Sequence, residues 1–166
     1  MGNGLLSSFH LLTFTKAHRG QTIPYHKARR LISSSKPPWV YGFPLNYDYL
    51  TDTYGAKFVP TPPNFGPEPT ELERINLDQK RASHARANLT MECNEVWPEW
   101  IDVVPVPGLS RPSGRTAVLA VFACREPNLG FVPIDEERVL LEALEEILVR
   151  EGFSFPNELL AWFVAV

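Results

Sequence analysis

The chain has 166 residues, of which 44% are hydrophobic, so it can bury the core of one globular domain with extensions. Its formal net charge is −3, and its longest apolar runs are eight residues, whereas a membrane-crossing helix needs about 20. The composition therefore excludes a transmembrane helix and predicts a soluble or peripheral protein.

Basic residues are concentrated at the start of the chain. Residues 1–47 carry six basic residues and no acidic one, whereas residues 48–166 have a net charge of −9. An acid-free front that contains arginine and serine is typical of a mitochondrial or plastid transit peptide. We therefore interpret residues 1–36 as a targeting segment and expect a mitochondrial protein, with plastid and cytoplasmic locations as alternatives.

The segment Ile23–Ile32 supports this interpretation. Pro24 suits the first turn of a helix, and at about 100° per residue the apolar and basic side chains fall on opposite sides. Two alternatives stay open: a solvated surface helix, and a retained basic arm that binds an acidic partner or anionic lipid headgroups. The arm hypothesis assigns binding to Lys27, Arg29, Arg30 and Lys36.

Residues 37–69 form a ribbon rich in proline and aromatic residues. Between Pro37 and Pro67 there are seven prolines, three charged residues and eight of the chain's 19 aromatic residues. Prolines at this density predict an extended segment that is neither helix nor central strand. Each buried ring removes about 150–250 Å² from water, so eight wet rings would favour aggregation.

The ribbon must therefore cover a surface, either of its own domain or of another subunit. The second alternative makes the eight rings an interface. These rings are Trp39, Tyr41, Phe43, Tyr47, Tyr49, Tyr54, Phe58 and Phe65.

Residues 70–90 are predicted to form one long exposed helix. Thr70 and Glu73 have the spacing of a capping box, in which each side chain accepts a backbone N–H of the other. A helix with a thin apolar stripe is exposed or lies between subunits. The predicted stripe is Leu72, Ile75, Ala82 and Leu89.

Residues 96–166 are predicted to supply the core. Trp97–Gly108 is short extended structure that its prolines confine to a sheet edge, and Thr116–Cys124 is a strand buried on both faces. A helix capped by Asp135 ends at Gly152. Its predicted buried stripe is Leu140, Leu141, Leu144, Ile147 and Leu148, and its predicted ion pair is Glu146–Arg150.

For the closing segment, a helix from about Pro156 is favoured over a strand beside Thr116–Cys124. Together these elements predict an α+β fold. The core is a small C-terminal α/β unit, with a strand followed by a helix and then a second helix or strand. A long extended N-terminal half and one long exposed helix complete the prediction.

No motif predicts a catalytic, cofactor or metal site. The four histidines are isolated from one another, and Cys93 and Cys124 lie 31 positions apart, outside any metal-ligand spacing. We interpret the cysteines as buried or incidental thiols, with a disulfide or a Cys93–His84 dyad as alternatives. Glu92 and Glu95 flank Cys93 and would raise its pKa, which argues against a reactive nucleophile.

These features favour a non-catalytic accessory or structural subunit of a multiprotein mitochondrial assembly, of respiratory-chain or ATP-synthase type. Other protein subunits would be its partners, and no cofactor is expected. The net charge of −9 after residue 47 argues against phosphate binding. The alternatives are a small stand-alone α+β enzyme or ligand-binding domain, and a mitoribosomal ribonucleoprotein component with a basic arm.

Overall fold

The computed structural model describes residues 38–63, 65–97, 99–107, 115–124, 133–154 and 160–165. The predicted α+β class is confirmed, because one antiparallel sheet of four strands is combined with helices. The strands are β1 (Trp39–Asn46), β2 (Asp102–Pro107), β3 (Arg115–Cys124) and β4 (Ala161–Val164). The two long helices are α1 (Glu71–Asn94) and α2 (Asp135–Arg150), and a π-helical turn, Tyr49–Tyr54, continues into a 3-10 turn, Gly55–Lys57.

The strand order in the sheet is β2-β3-β1-β4, so β3 and β1 are the inner strands. Two predictions are confirmed: β2, with its two prolines, lies at an edge, and β3 is buried on both faces from Ala117 to Cys124. Large side chains such as Leu119 and Phe122 join the main core with the helices. Small side chains such as Val118 and Ala120 form a second cluster on the other face.

A β-bulge lies in the centre of the sheet, where Tyr41 pairs with Phe122 but the next residue, Gly42, pairs with Ala120. Val121 is the extra residue, so Val121 and Phe122 both contribute to the main core. A bulge bends its strand and increases the local twist. The two edge strands β2 and β4 accordingly approach each other, with Cα atoms within 8 Å, so the sheet is strongly curved.

The first strand corrects the interpretation of the ribbon. Trp39–Asn46 was predicted to be kept out of a central strand, yet β1 lies between β3 and β4. Pro44 pairs with Val118 of β3, and β4 pairs with Trp39–Gly42, so within the described residues no β4 residue lies opposite Pro44. Proline is acceptable at a position where no ladder partner requires its missing N–H.

The last strand is a second correction. Ala161–Val164 forms β4, so the favoured helix from Pro156 is wrong for these residues, and residues 155–159 lie outside the described residues. The strand alternative was right in type but named β3 as the neighbour. The observed partner is β1, with Trp39 opposite Val164 and Gly42 opposite Ala161.

Helix α1 begins as its sequence predicts. Thr70 Oγ1 accepts the Glu73 N–H at 3.3 Å, and Glu73 Oε2 accepts the Thr70 N–H at 2.8 Å, so both halves of the capping box are present. The predicted apolar stripe is only partly correct. Leu89 is buried, but Leu72 and Ile75 are exposed. The buried residues of α1 are Leu77, Ala85, Leu89 and Cys93.

Helix α2 has the predicted bounds and four of the five predicted stripe residues are buried, while Leu140 is half-buried against the core. Its last residue is Arg150, and the predicted stop follows at Gly152, whose φ of +90° lies in the left-handed region that glycine adopts without strain. Asp135 is the first helical residue and not the cap, which is Ile134. Arg150 pairs with Glu92 and Glu151 instead of the predicted Glu146.

Candidate functional site

Most of the eight rings predicted as an interface pack within the chain itself. Tyr41, Phe43 and Tyr54 are buried in the main core. Phe58, with 38% of its surface exposed, is the most open of the eight. The four others are half-buried: Trp39, Tyr47, Tyr49 and Phe65. An interface role for the rings stays a prediction, but their own domain already shields much of the ribbon.

Two aromatic groups account for this shielding. On the sheet, the Tyr41 ring centroid lies 5.2 Å from that of Trp162 and 6.1 Å from that of Phe122. Beside the end of α2, the Phe153 ring lies 5.4 Å from Tyr54 and 5.0 Å from Tyr49. Ring pairs at these distances contribute about 0.5–1.5 kcal/mol beyond the area they bury. The ribbon is therefore a part of the core, tied to the C-terminal third of the chain.

Charged groups fasten the ribbon at the same place. Lys57 Nζ lies 3.0 Å from Glu151 Oε2 and 5.0 Å above the Tyr54 ring, while the Tyr49 hydroxyl donates to the Glu151 carbonyl at 2.8 Å. Arg150 reaches across to Glu92 on α1. Exposed pairs of this kind contribute little individually, so we interpret them as positioning contacts and not as a catalytic cluster.

The cysteines behave as the sequence predicts. Both Cys93 and Cys124 are buried. Burial raises the pKa of Cys93 to about 12, and the Glu92 carboxylate adds to the shift, so the thiol is neutral at physiological pH. The alternative dyad with His84 is wrong, because His84 is exposed and lies on the opposite side of α1 from the buried thiol.

One buried carboxylate was not predicted. Glu137, in the first turn of α2, is fully buried, and its Oε2 accepts the Ile134 N–H at 3.0 Å. Its Oε1 has no hydrogen-bond partner among the residues that the structure describes. Glu137 also lies close enough to Tyr41 to add to the rise in the pKa of that hydroxyl, whose first cause is burial. The capping spacing with position 134 could have indicated Glu137, but Asp135 was the more usual cap.

The first half of α1 exposes apolar side chains. Leu72 is 67% exposed and Ile75, one turn further, is 39% exposed. Residues three apart on a helix share a face, so these two form one patch. Only from Ala85 onward does α1 join the main core. Arg81 donates to the Val59 carbonyl at 3.0 Å and so ties the ribbon to α1 where this projecting half ends.

The outer face of α2 is acidic. Glu142, Glu145 and Glu146 line a recess of about 520 Å³ together with Val149 and Arg150. Glu142 and Glu146 are exposed and Glu145 is half-buried. No described residue forms an ion pair with these three carboxylates, because the nearby guanidinium of Arg150 is engaged by Glu92 and Glu151.

The predicted arm residues Lys27, Arg29, Arg30 and Lys36 lie outside the described residues. Within the described ranges, no three His, Cys, Asp or Glu side chains gather in a way that could hold a metal ion. In the same part of the chain, no helix combines the length and the hydropathy that crossing a bilayer requires. Comparison with known proteins gives no matching family model, curated protein or solved structure.

Proposed function

We propose that this chain is a non-catalytic accessory subunit of a multiprotein assembly, held by the projecting half of α1. The observation that carries the proposal is the pair Leu72 and Ile75, which α1 presents to solvent on one face before it reaches the core. Burying such side chains against a partner contributes about 25 cal/mol per Å² of apolar area. A helix whose first four turns have only Leu77 buried is typical of a docking element.

The aromatic ribbon no longer requires a partner, since most of its rings pack on their own domain. That packing favours a second candidate, a stand-alone ligand-binding domain, which would carry a buried polar group such as Glu137. The accessory subunit accounts better for Leu72 and Ile75, because two exposed apolar residues one turn apart form a contiguous patch of the kind that marks interaction sites.

The proposal includes a mitochondrial location, and an assembly of respiratory-chain or ATP-synthase type. It is supported by the acid-free residues 1–47, whose composition is typical of an import signal. The net charge of −9 after residue 47 favours a protein assembly over a ribonucleoprotein, in which phosphate groups require cations. Mass spectrometry of the native N-terminus tests this part: a start near Ser33–Lys36 is expected, and a start at Met1 or Gly2 would contradict it.

The assembly itself is tested by native size. A C-terminally tagged chain, expressed at its natural level in the source cells, should migrate in a mild extract far above its own mass of 18.8 kDa. The double variant Leu72→Asp with Ile75→Asp should release it as a monomer. The bands of the partner proteins that migrate with the chain should decrease to the same extent as the large species.

A matched control is available on the same helix. Ser83→Asp with Ala87→Asp adds the same charge at two exposed positions outside the Leu72–Ile75 pair, and should leave the large species intact. A wild-type chain that migrates as a monomer in the extract favours the stand-alone domain. Equal loss with both double variants would show a general charge effect and would contradict docking through Leu72 and Ile75.

A further inference from the structure

The acidic recess on α2 has the character of a docking surface. Its three carboxylates are flanked along the helix by two exposed apolar side chains, Val139 at 64% and Val149 at 57% exposure. These residues recur three or four positions apart and therefore share one face of the helix. An apolar border around unpaired negative charge fits a partner that is both basic and amphipathic.

The chain itself contains a segment of that chemistry. Residues 24–36 carry four of the six basic residues that precede position 48 and no acidic residue. The predicted helix there places Lys27, Arg29 and Arg30 opposite an apolar side formed by Tyr25, Ala28, Leu31 and Ile32. Positive and apolar groups thus occur together in the segment, just as negative and apolar groups do on α2.

The point of attachment brings the two together. The segment leads into Pro38, whose carbonyl accepts the Ala165 N–H at 2.9 Å, and then into β1. Tyr41 of β1 and Leu141 of α2 belong to the same buried core cluster. Glu142 is the next residue along α2 after Leu141. Eight residues separate Arg30 from Pro38, and a chain of that length spans up to about 28 Å.

We propose that residues 24–36 bind the outer face of α2 in the same chain, with Lys27, Arg29 and Arg30 against Glu142, Glu145 and Glu146. A tether of this length gives an effective local concentration of about millimolar, which favours this occupant over a free basic partner. The contact masks the acidic face for as long as the segment is present. It does not rest on the proposed assembly or on its location.

The test uses the full chain with a nitroxide label at Ser34→Cys and amide NMR signals as the readout. Cys93 and Cys124 are buried, so the engineered thiol is the reactive one among the three. At low salt, the amide signals of Glu142 to Val149 should broaden strongly, while those of the first half of α1 should not. In about 1 M salt, where the Debye length is near 3 Å, the broadening should be lost.

Two variant pairs with equal charge change separate the specific contact from general attraction. Arg29→Glu with Arg30→Glu should abolish the broadening, whereas Lys16→Glu with Arg19→Glu should retain it. Adding Glu142→Arg with Glu146→Arg to the first pair should restore it. A well-dispersed amide spectrum in each variant shows that the domain is folded.

Three results would overturn the proposal. The first is an unbroadened α2 in the wild type at low salt, and the second is equal broadening in the Arg29→Glu, Arg30→Glu variant. The third is equally strong broadening of the amide signals of chains without the nitroxide when they are mixed with labelled chains, because this would assign the contact to a second copy. Native assembly size is measured separately, so failure here leaves the proposal for Leu72 and Ile75 unaffected.

Discussion

Replacing Gly42 by alanine tests the description of the sheet most directly. A Cβ atom at this position would lie 1.9 Å from the Leu119 carbonyl oxygen and 2.8 Å from the Ala120 Cα. Both obstacles are backbone atoms of β3, at the point where the bulge brings β1 and β3 together. Relief therefore requires a shift of about 1 Å in an inner strand and not a simple change of rotamer.

The magnitude follows from that geometry. Overpacking a core typically costs about 1–3 kcal/mol, and a clash with central backbone belongs at the upper end. We therefore expect Gly42→Ala to lower the free energy of unfolding by about 3 kcal/mol. For a domain of this size, each kcal/mol shifts the Tm by about 2–4 °C, so the Tm should fall by about 6–12 °C.

Urea unfolding followed by tryptophan fluorescence measures the change, with circular dichroism for the Tm. Gly66→Ala is the matched control, because a Cβ at Gly66 meets no atom within 4 Å. The control should change stability by about 0.5 kcal/mol or less, since exposed substitutions have small effects. If Gly42→Ala proves as stable as Gly66→Ala, the pairing of Gly42 with Ala120 is wrong.

Three further predictions concern single side chains. Thr70→Ala should cost about 1 kcal/mol in urea unfolding by removing the cap of α1, whereas Thr70→Ser should cost much less; equal losses would contradict the cap. Cys93 should resist thiol reagents in the folded chain at pH 8 and react after unfolding. Rapid labelling of the folded chain at pH 8 would argue against this burial. Burial raises the pKa of Cys93 to about 12, above its unfolded value of about 9. The neutral thiol therefore stabilises the fold below pH 9, and this contribution is lost as the pH rises from 9 to 12. Glu137→Gln should be at least as stable as the wild type at pH 7, because the buried Oε1 has no partner among the described residues and the amide oxygen still accepts the Ile134 N–H. A large loss of stability would show that another group of the chain binds Oε1.

Local patterns predicted the two long helices well, but not the helical turns of Tyr49–Tyr54 and Gly55–Lys57, because the ribbon was predicted to contain no helix. The Thr70–Glu73 spacing identified the start of α1, the apolar periodicity of α2 identified its buried face, and Gly152 indicated where it stops. These signals succeed because capping and periodicity depend on residues three or four apart. The apolar run Ala117–Cys124 identified β3 for a similar reason, since few exposed strands lack polar residues altogether.

Long-range pairing was harder to predict. The prolines of the ribbon argued against a central strand, but they do not show that the described pairing with β4 covers Trp39–Gly42 and does not include Pro44. The same limit applies to α1, because a stripe drawn from spacing cannot show that the core starts at Ala85. Glu137 escaped notice because a glutamate in the first turn of a helix is usually solvated.

The pairing of β4 with β1 has a consequence for how the fold opens. Within the described residues four residue pairs join these strands, and Trp39 and its partner Val164 are separated by 125 positions in the chain. A short ladder with a large closure entropy and half-buried side chains should be the first cooperative unit to detach. Its amides should exchange with deuterium well before those of β3, and each opening would bare the flank of β1 as a template for an incoming strand.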